Sequence, residues 1–155
     1  MMQNMRILNS KEIKQISKAL EDQFGFSKKL DSVFLMNQKN RIYLMSKGIS
    51  EMDLDSIRKD SIGMYFAHMA HDGVRPTIEG SQLVGPHSKK NIMHLDAKQL
   101  KEYVRGFEID KAGFSLEEGY YLVKSDDDFL GCVKVSQEKI LSFISKARRL
   151  KVLSE

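Results

Sequence analysis

Residues 91–109 read NIMHLDAKQLKEYVRGFEI, and residues 119–135 read GYYLVKSDDDFLGCVKV. In the first stretch a short apolar strand over residues 91–95 runs into Asp96, whose carboxylate suits the start of a helix because it accepts from free backbone N–H groups. Gln99 stands at the third helical position, where its amide reaches back to the cap. Ala97, Leu100 and Val104 then share one helical face, and Gly106 ends the helix because glycine takes the left-handed turn at little cost. In the second stretch, apolar residues 120–124 and 129–135 flank Ser125, Asp126, Asp127 and Asp128, the pattern of a hairpin around a solvated turn. A last apolar segment, residues 140–144, leads into SKARRLK at 145–151.

Upstream, a separate set of elements is predicted. Asn9 caps a first helix with Glu12 at its third position, Ile13, Ile16, Leu20 and Phe24 recur at helical spacing, and Gly25 is the stop. Residues 32–36 and 41–45 read as strands around the polar residues 37–40. Ser50 caps a second helix carrying Met52, Leu54 and Ile57 and ending near Asp60. Residues 61–69 and 74–78 read as strands joined at His71, Asp72 and Gly73, since Asp-Gly favours a tight turn. Residues 79–88 hold Gly80, Gly85 and Pro86 and are the expected junction between an N-terminal α/β domain, 1–86, and a second domain, 87–155. The fold class expected is α+β.

The composition excludes several classes. A chain of 155 residues suits one domain or two small ones, and 41% hydrophobic with 30% charged residues is ordinary for a globular protein. No apolar run approaches the roughly 20 residues that cross a bilayer. MMQNMRILNS, at 1–10, has no continuous apolar stretch, so a cytoplasmic protein with no membrane partner is expected. The single cysteine, Cys132, leaves no intramolecular disulfide and no cysteine-rich zinc site. The net charge of +4 is a mild basic bias.

Each candidate for chemistry has a plainer reading that outweighs it. His68 and His71 are spaced for one helical face, yet their segment reads as strand and turn, without further Cys or His nearby in sequence. Asp126, Asp127 and Asp128 are adjacent, whereas a calcium loop of the EF-hand type alternates its ligands. Cys132 sits in an apolar strand, where thiols are common and inert. No glycine-rich phosphate loop, dinucleotide fingerprint or nucleophile elbow is present. No enzyme, cofactor or metal is therefore expected. The positive feature is a C-terminal cluster of Lys139, Lys146, Arg148, Arg149 and Lys151 without an acid from 139 to 154. Such cations neutralise phosphates and release counterions, although a solvated basic tail has the same composition. Lys89 and Lys90 form a second basic group. At Arg105, Gly106 and Phe107 a glycine allows close approach of the backbone and an aromatic ring offers a stacking face.

The two opening stretches together with ILSFISKARRL at 140–150 resemble a PUA domain, most of all the one that ends RNA 5-methylcytosine methyltransferases. The likeness spans roughly residues 89–151 and lies in the order of its parts: a strand, a short helix closed by glycine, a glycine–aromatic strand, a Leu-Gly turn and a basic end. MRILNSKEIKQISKAL with NRIYLMSK is similar to the start of the pre-PUA-plus-PUA ribosome-assembly proteins of archaea and eukaryotes. The resemblance implies a pre-PUA-like α/β domain followed by a PUA pseudo-β-barrel. It implies rRNA or tRNA as ligand, with ribosome-assembly or RNA-modification proteins as partners and no DNA. Carried over, its RNA surface holds Arg105, Gly106, Phe107, Lys111, Arg148 and Arg149. The chain departs from the methyltransferase pattern at Cys132 and Ser145, where glycine or an aromatic and proline are usual. The alternative expectation is an adaptor that docks on an RNA-modifying enzyme or ribosomal protein through an exposed apolar patch, for which the methionines of residues 64–69 are candidates.

Overall fold

A computed structural model of the chain describes residues 5–45, 63–111 and 114–144. The chain is mixed α/β, with two sheets and few helices among the described residues. In the first sheet β1 (Met5–Ile7), β2 (Val33–Asn37), β3 (Arg41–Met45), β4 (Met64–Ala70) and β5 (Gly73–Pro76) pair antiparallel in chain order. In the second, β6 (Ile92–His94) runs parallel to β7 (Gly119–Ser125), which pairs antiparallel with β8 (Asp128–Val135), and β8 with β9 (Ile140–Ser142). The expected helix near residues 50–60 lies outside the described residues.

Local sequence accounts for two helices. In α1 (Ser10–Phe24), the amide N–H of Glu12 donates to Asn9 Oδ1 at 2.9 Å while Glu12 Oε1 accepts from the Asn9 amide at 3.2 Å. Gly25, at φ 67°, closes the helix by donating to the Glu21 carbonyl at 2.8 Å. Ile16, Leu20 and Phe24 are buried, each worth about 2 kcal/mol of transfer free energy. In a later helix, Ala97–Val104, Asp96 and Gln99 form the same reciprocal cap, at 2.8 and 2.9 Å. The buried anchor of that helix is Tyr103, whose hydroxyl donates to the Leu130 carbonyl at 2.7 Å, rather than the face of Ala97, Leu100 and Val104.

The junction differs from the expectation. The strand expected to reach Ile78 ends at Pro76, and Thr77 caps a helix, α2 (Ile78–Val84), which continues as a 3-10 turn over Gly85–His87. Thr77 Oγ1 accepts from the Gly80 amide at 2.9 Å and donates to the Tyr65 carbonyl at 2.7 Å, so the cap is also tied to β4. Residues 79–88 are thus packed structure and not an open linker. A Cβ at Gly80 would collide with the Phe66 carbonyl, and one at Gly85 with the Phe129 ring, so both glycines serve close packing. The Ala97–Val104 helix, hereafter α3, crosses between β6 and β7.

One core spans both sheets. Ile16, Leu20 and Phe24 of α1 and Phe34, Ile42 and Phe66 of the first sheet join Tyr120, Leu122, Phe129 and Cys132 of the second. The opposite face of β7 and β8, through Tyr121, Val123, Val133 and Val135, packs with Met93, Tyr103 and Ile140 in a second core. This explains why residues 120–123 are apolar without alternation: the strand is covered on both faces. Polar ties reinforce the seam. The Gln23 amide brackets Val74, donating to its carbonyl at 2.7 Å and accepting from its N–H at 2.8 Å. Asp72, in the β4–β5 turn, accepts from the Tyr120 hydroxyl at 2.7 Å and from the Lys134 ammonium at 2.5 Å.

Candidate nucleic-acid interface

The end of α3 is built by its cap. Gly106, at φ 81°, donates to the Tyr103 carbonyl at 3.0 Å, and Phe107 donates to the Glu102 carbonyl at 2.9 Å, which is the Schellman pattern. That turn throws Phe107 outward, where it is 51% exposed, with the Arg105 guanidinium 4.8 Å from its ring centre. Directly after it Ile109 bridges Ile140, pinning the turn to the edge strand β9. Lys139 and Glu108, both exposed, face each other at 3.9 Å. Arg105, Gly106, Phe107 and Lys139 therefore form one rim beside β9. A planar cation over an exposed ring is a surface on which an unpaired base can stack and a phosphate can sit.

Other expected contacts are placed differently. Lys111, between α3 and β7, is turned toward the loop that follows β8: its ammonium donates to the carbonyls of Ser136 and Gln137, the latter at 2.8 Å. It braces this rim and retains at most one N–H for a ligand. Lys89 and Lys90 lead into β6, the opposite edge strand of the sheet from β9. Their backbone N–H groups donate to the Phe24 carbonyl at 2.8 and 3.1 Å, closing α1. Beside them the Lys28 ammonium donates to His87 Nε2 at 3.4 Å across an open groove. Lys146, Arg148, Arg149 and Lys151 lie outside the described residues.

A second cationic and aromatic surface was not singled out from the sequence. On the outer face of the first sheet, Tyr43 and Tyr65 stack with ring centres 5.2 Å apart, and the Arg41 guanidinium lies 5.6 Å from the Tyr65 centre. The strand register aligns Arg41 with His68 and His68 with Arg75. Arg75 in turn lies 4.0 Å from the ring centre of Phe143, which follows β9 and is 37% exposed. Burial first, then the charge of Arg75, holds the His68 imidazole below its ordinary pKa. Burial pushes the Tyr65 hydroxyl up. The signal in the sequence was the period-two spacing of Arg41 and Tyr43, but their partners come from other strands.

The remaining candidates are placed on strands and turns. His68 is on a strand and His71 in the turn after it, and among the described residues no group of His, Cys, Asp or Glu is arranged to hold a metal. Asp126 and Asp127 form the two-residue turn of the β7–β8 hairpin. Cys132 is buried, and burial drives its thiol pKa far up, opposite to what a nucleophile needs. Met64 and Met69 pack against the shared core. No helix among the described residues is long and apolar enough to cross a membrane.

Comparison with known proteins bears on the second half. Residues 90–150 match the family model of the methyltransferase RsmF PUA domain. No curated protein matches the chain. The protein thus carries a PUA-type domain resembling the C-terminal domain of RNA methyltransferases, and the second sheet with α3 is its PUA-like β fold. PUA domains bind RNA, so the rim beside β9 belongs to an RNA-binding type of domain.

Proposed function

We propose that this protein is a non-catalytic RNA-binding protein that recognises structured rRNA or tRNA in ribosome biogenesis or RNA modification. The observation that carries the reading is the PUA match over residues 90–150, joined to the exposed Arg105–Phe107 pair that the cap of α3 presents. Arg105 and the basic residues beyond Ile144 contact phosphates, while Phe107 stacks on an unpaired base and the Gly106 turn lets the backbone approach it. The first sheet with α1 acts as a pre-PUA-like platform, which supports the PUA domain through the shared core. A cytoplasmic site of action accompanies this reading.

An adaptor role is less favoured by the surface. Ile7, Leu83, Phe107 and Phe143, the exposed large hydrophobic residues among those described, stand on separate elements, and the methionines of β4 are committed to packing.

A polarisation titration of a labelled rRNA stem-loop tests the reading. Replacing both Arg148 and Arg149 with Ala is expected to weaken binding and lower the salt slope by about 1 to 2. The double replacement Arg105→Ala with Phe107→Ala is expected to cost about tenfold in affinity. Equal affinity and salt slope for wild type and both double variants would remove the proposed surface.

A further inference from the structure

We propose that the outer face of the first sheet, where it meets Phe143, is a second RNA contact that holds one unpaired nucleobase. The inference rests on the RNA reading above but concerns a different surface. Between Tyr65, Arg75, Thr77 and Phe143 lies a notch of about 180 Å³. That is below the roughly 300–1,000 Å³ of pockets for drug-sized ligands and suits a single planar ring.

Its walls are chemically matched to a base. Tyr65 and Phe143 supply aromatic faces, and the Arg75 guanidinium, 4.0 Å from the Phe143 ring centre, supplies a planar cation. Such faces stack on any base, whatever its hydrogen-bonding edge. Glu79 also lines the notch, which disfavours a phosphate inside it and leaves the place to an uncharged ring. Phosphates flanking the base have Arg41 to meet, one side of the Tyr65 ring away. An acidic peptide would be drawn by the arginines alone and has no use for stacked rings. The combination of cation, aromatic wall and ring-sized space selects a nucleic-acid strand.

Binding of the full-length protein to two labelled single strands of about ten nucleotides separates the possibilities, one of uridines and one with abasic ribose at its centre. Wild type is expected to prefer the base-bearing strand about tenfold. Phe143→Leu keeps the apolar bulk and Arg75→Lys keeps the charge, and in a background of Arg105→Ala with Phe107→Ala, where the rim stacks no base, each is expected to bring the two strands near parity with the thermal melt unchanged. Photo-crosslinking with 4-thiouridine in the strand is expected to mark Tyr65 or Phe143. A base preference that survives both substitutions in that background would overturn the notch, as would wild-type binding with no base preference. Either result leaves the PUA reading standing. Failure to bind the stem-loop as well as both strands would remove the two proposals together.

Discussion

The two sheets of this protein differ in how much of their second face they hide. The second is buried on both: Tyr120 and Leu122 enter the shared core while Tyr121 and Val123 enter the other. The first gives Phe34, Ile42 and Phe66 to the shared core, and its far side holds a small buried cluster of Leu35 and Met45, with Tyr43 packed against it, beside Arg41, Tyr65, His68 and Arg75. A sheet covered twice has only its edges and connections to offer a ligand, so the PUA half presents the turn after α3. A sheet whose second face is covered only in part can offer the remainder, and here that remainder is cationic and aromatic.

Substitutions can break this contrast, beginning with the largest effect. Leu122 is fully buried where the two sheets share a core. Leu122→Ala is expected to cost about 3 kcal/mol. Denaturant melts followed by circular dichroism and by tyrosine fluorescence should coincide, because both halves lose the same core. Two separated transitions would show the sheets to be independent. By contrast, Tyr43→Phe on the open face is expected to change stability by less than about 0.5 kcal/mol.

Next in size is the polar tie across the seam. Hydrogen bonding from Lys134 and then from Tyr120 lowers the Asp72 carboxyl from 3.8 to about 2. A carboxylate depressed in the folded state contributes stability above its unfolded pKa and loses it as pH falls through the folded value. Asp72→Asn is therefore expected to cost about 1 kcal/mol at neutral pH, allowing for solvent screening of a partly exposed pair. That cost should vanish between about pH 4 and pH 2. A pH series of urea midpoints that stays parallel for variant and wild type would dismiss the tie.

The smallest effect belongs to His68. Its Nδ1 is buried and has no hydrogen-bond partner among the described residues, and its pKa is lowered by burial and by Arg75. Folding then favours the neutral ring, so its contribution is present above about pH 6.5 and falls away as pH drops through the lower folded value. His68→Gln should flatten the stability profile in that window. An unchanged slope in thermal melts from pH 7 to about pH 5 would contradict this.

What the sequence disclosed was whatever the chain settles locally. The caps Asn9–Glu12 and Asp96–Gln99, the stop at Gly106 and the acidic hairpin turn each involve residues a few positions apart. The exposed Arg105–Phe107 pair was legible for the same reason. The helix Ile78–Val84 was not read because Gly80, Gly85 and Pro86 suggested a domain boundary over residues 79–88, and only the approach of Phe66 and Phe129 shows that the two glycines serve packing. Lys111 was counted with the outward cations because the Ser136 and Gln137 carbonyls that hold it come from a distant loop. The open face of the first sheet was hidden for a further reason. A register shift between Ile42 and Tyr43 sets Tyr43 opposite Tyr65 and Arg41 opposite His68, and no sequence spacing announces that shift.

Hydrogen–deuterium exchange of the full-length chain, with and without a saturating rRNA stem-loop, tests the central claim most directly. Slowed exchange is expected in peptides covering the end of α3 through Ile109 and the basic residues after Ile144. Protection confined to α1 and β1–β3, or none anywhere in residues 90–150, would contradict it.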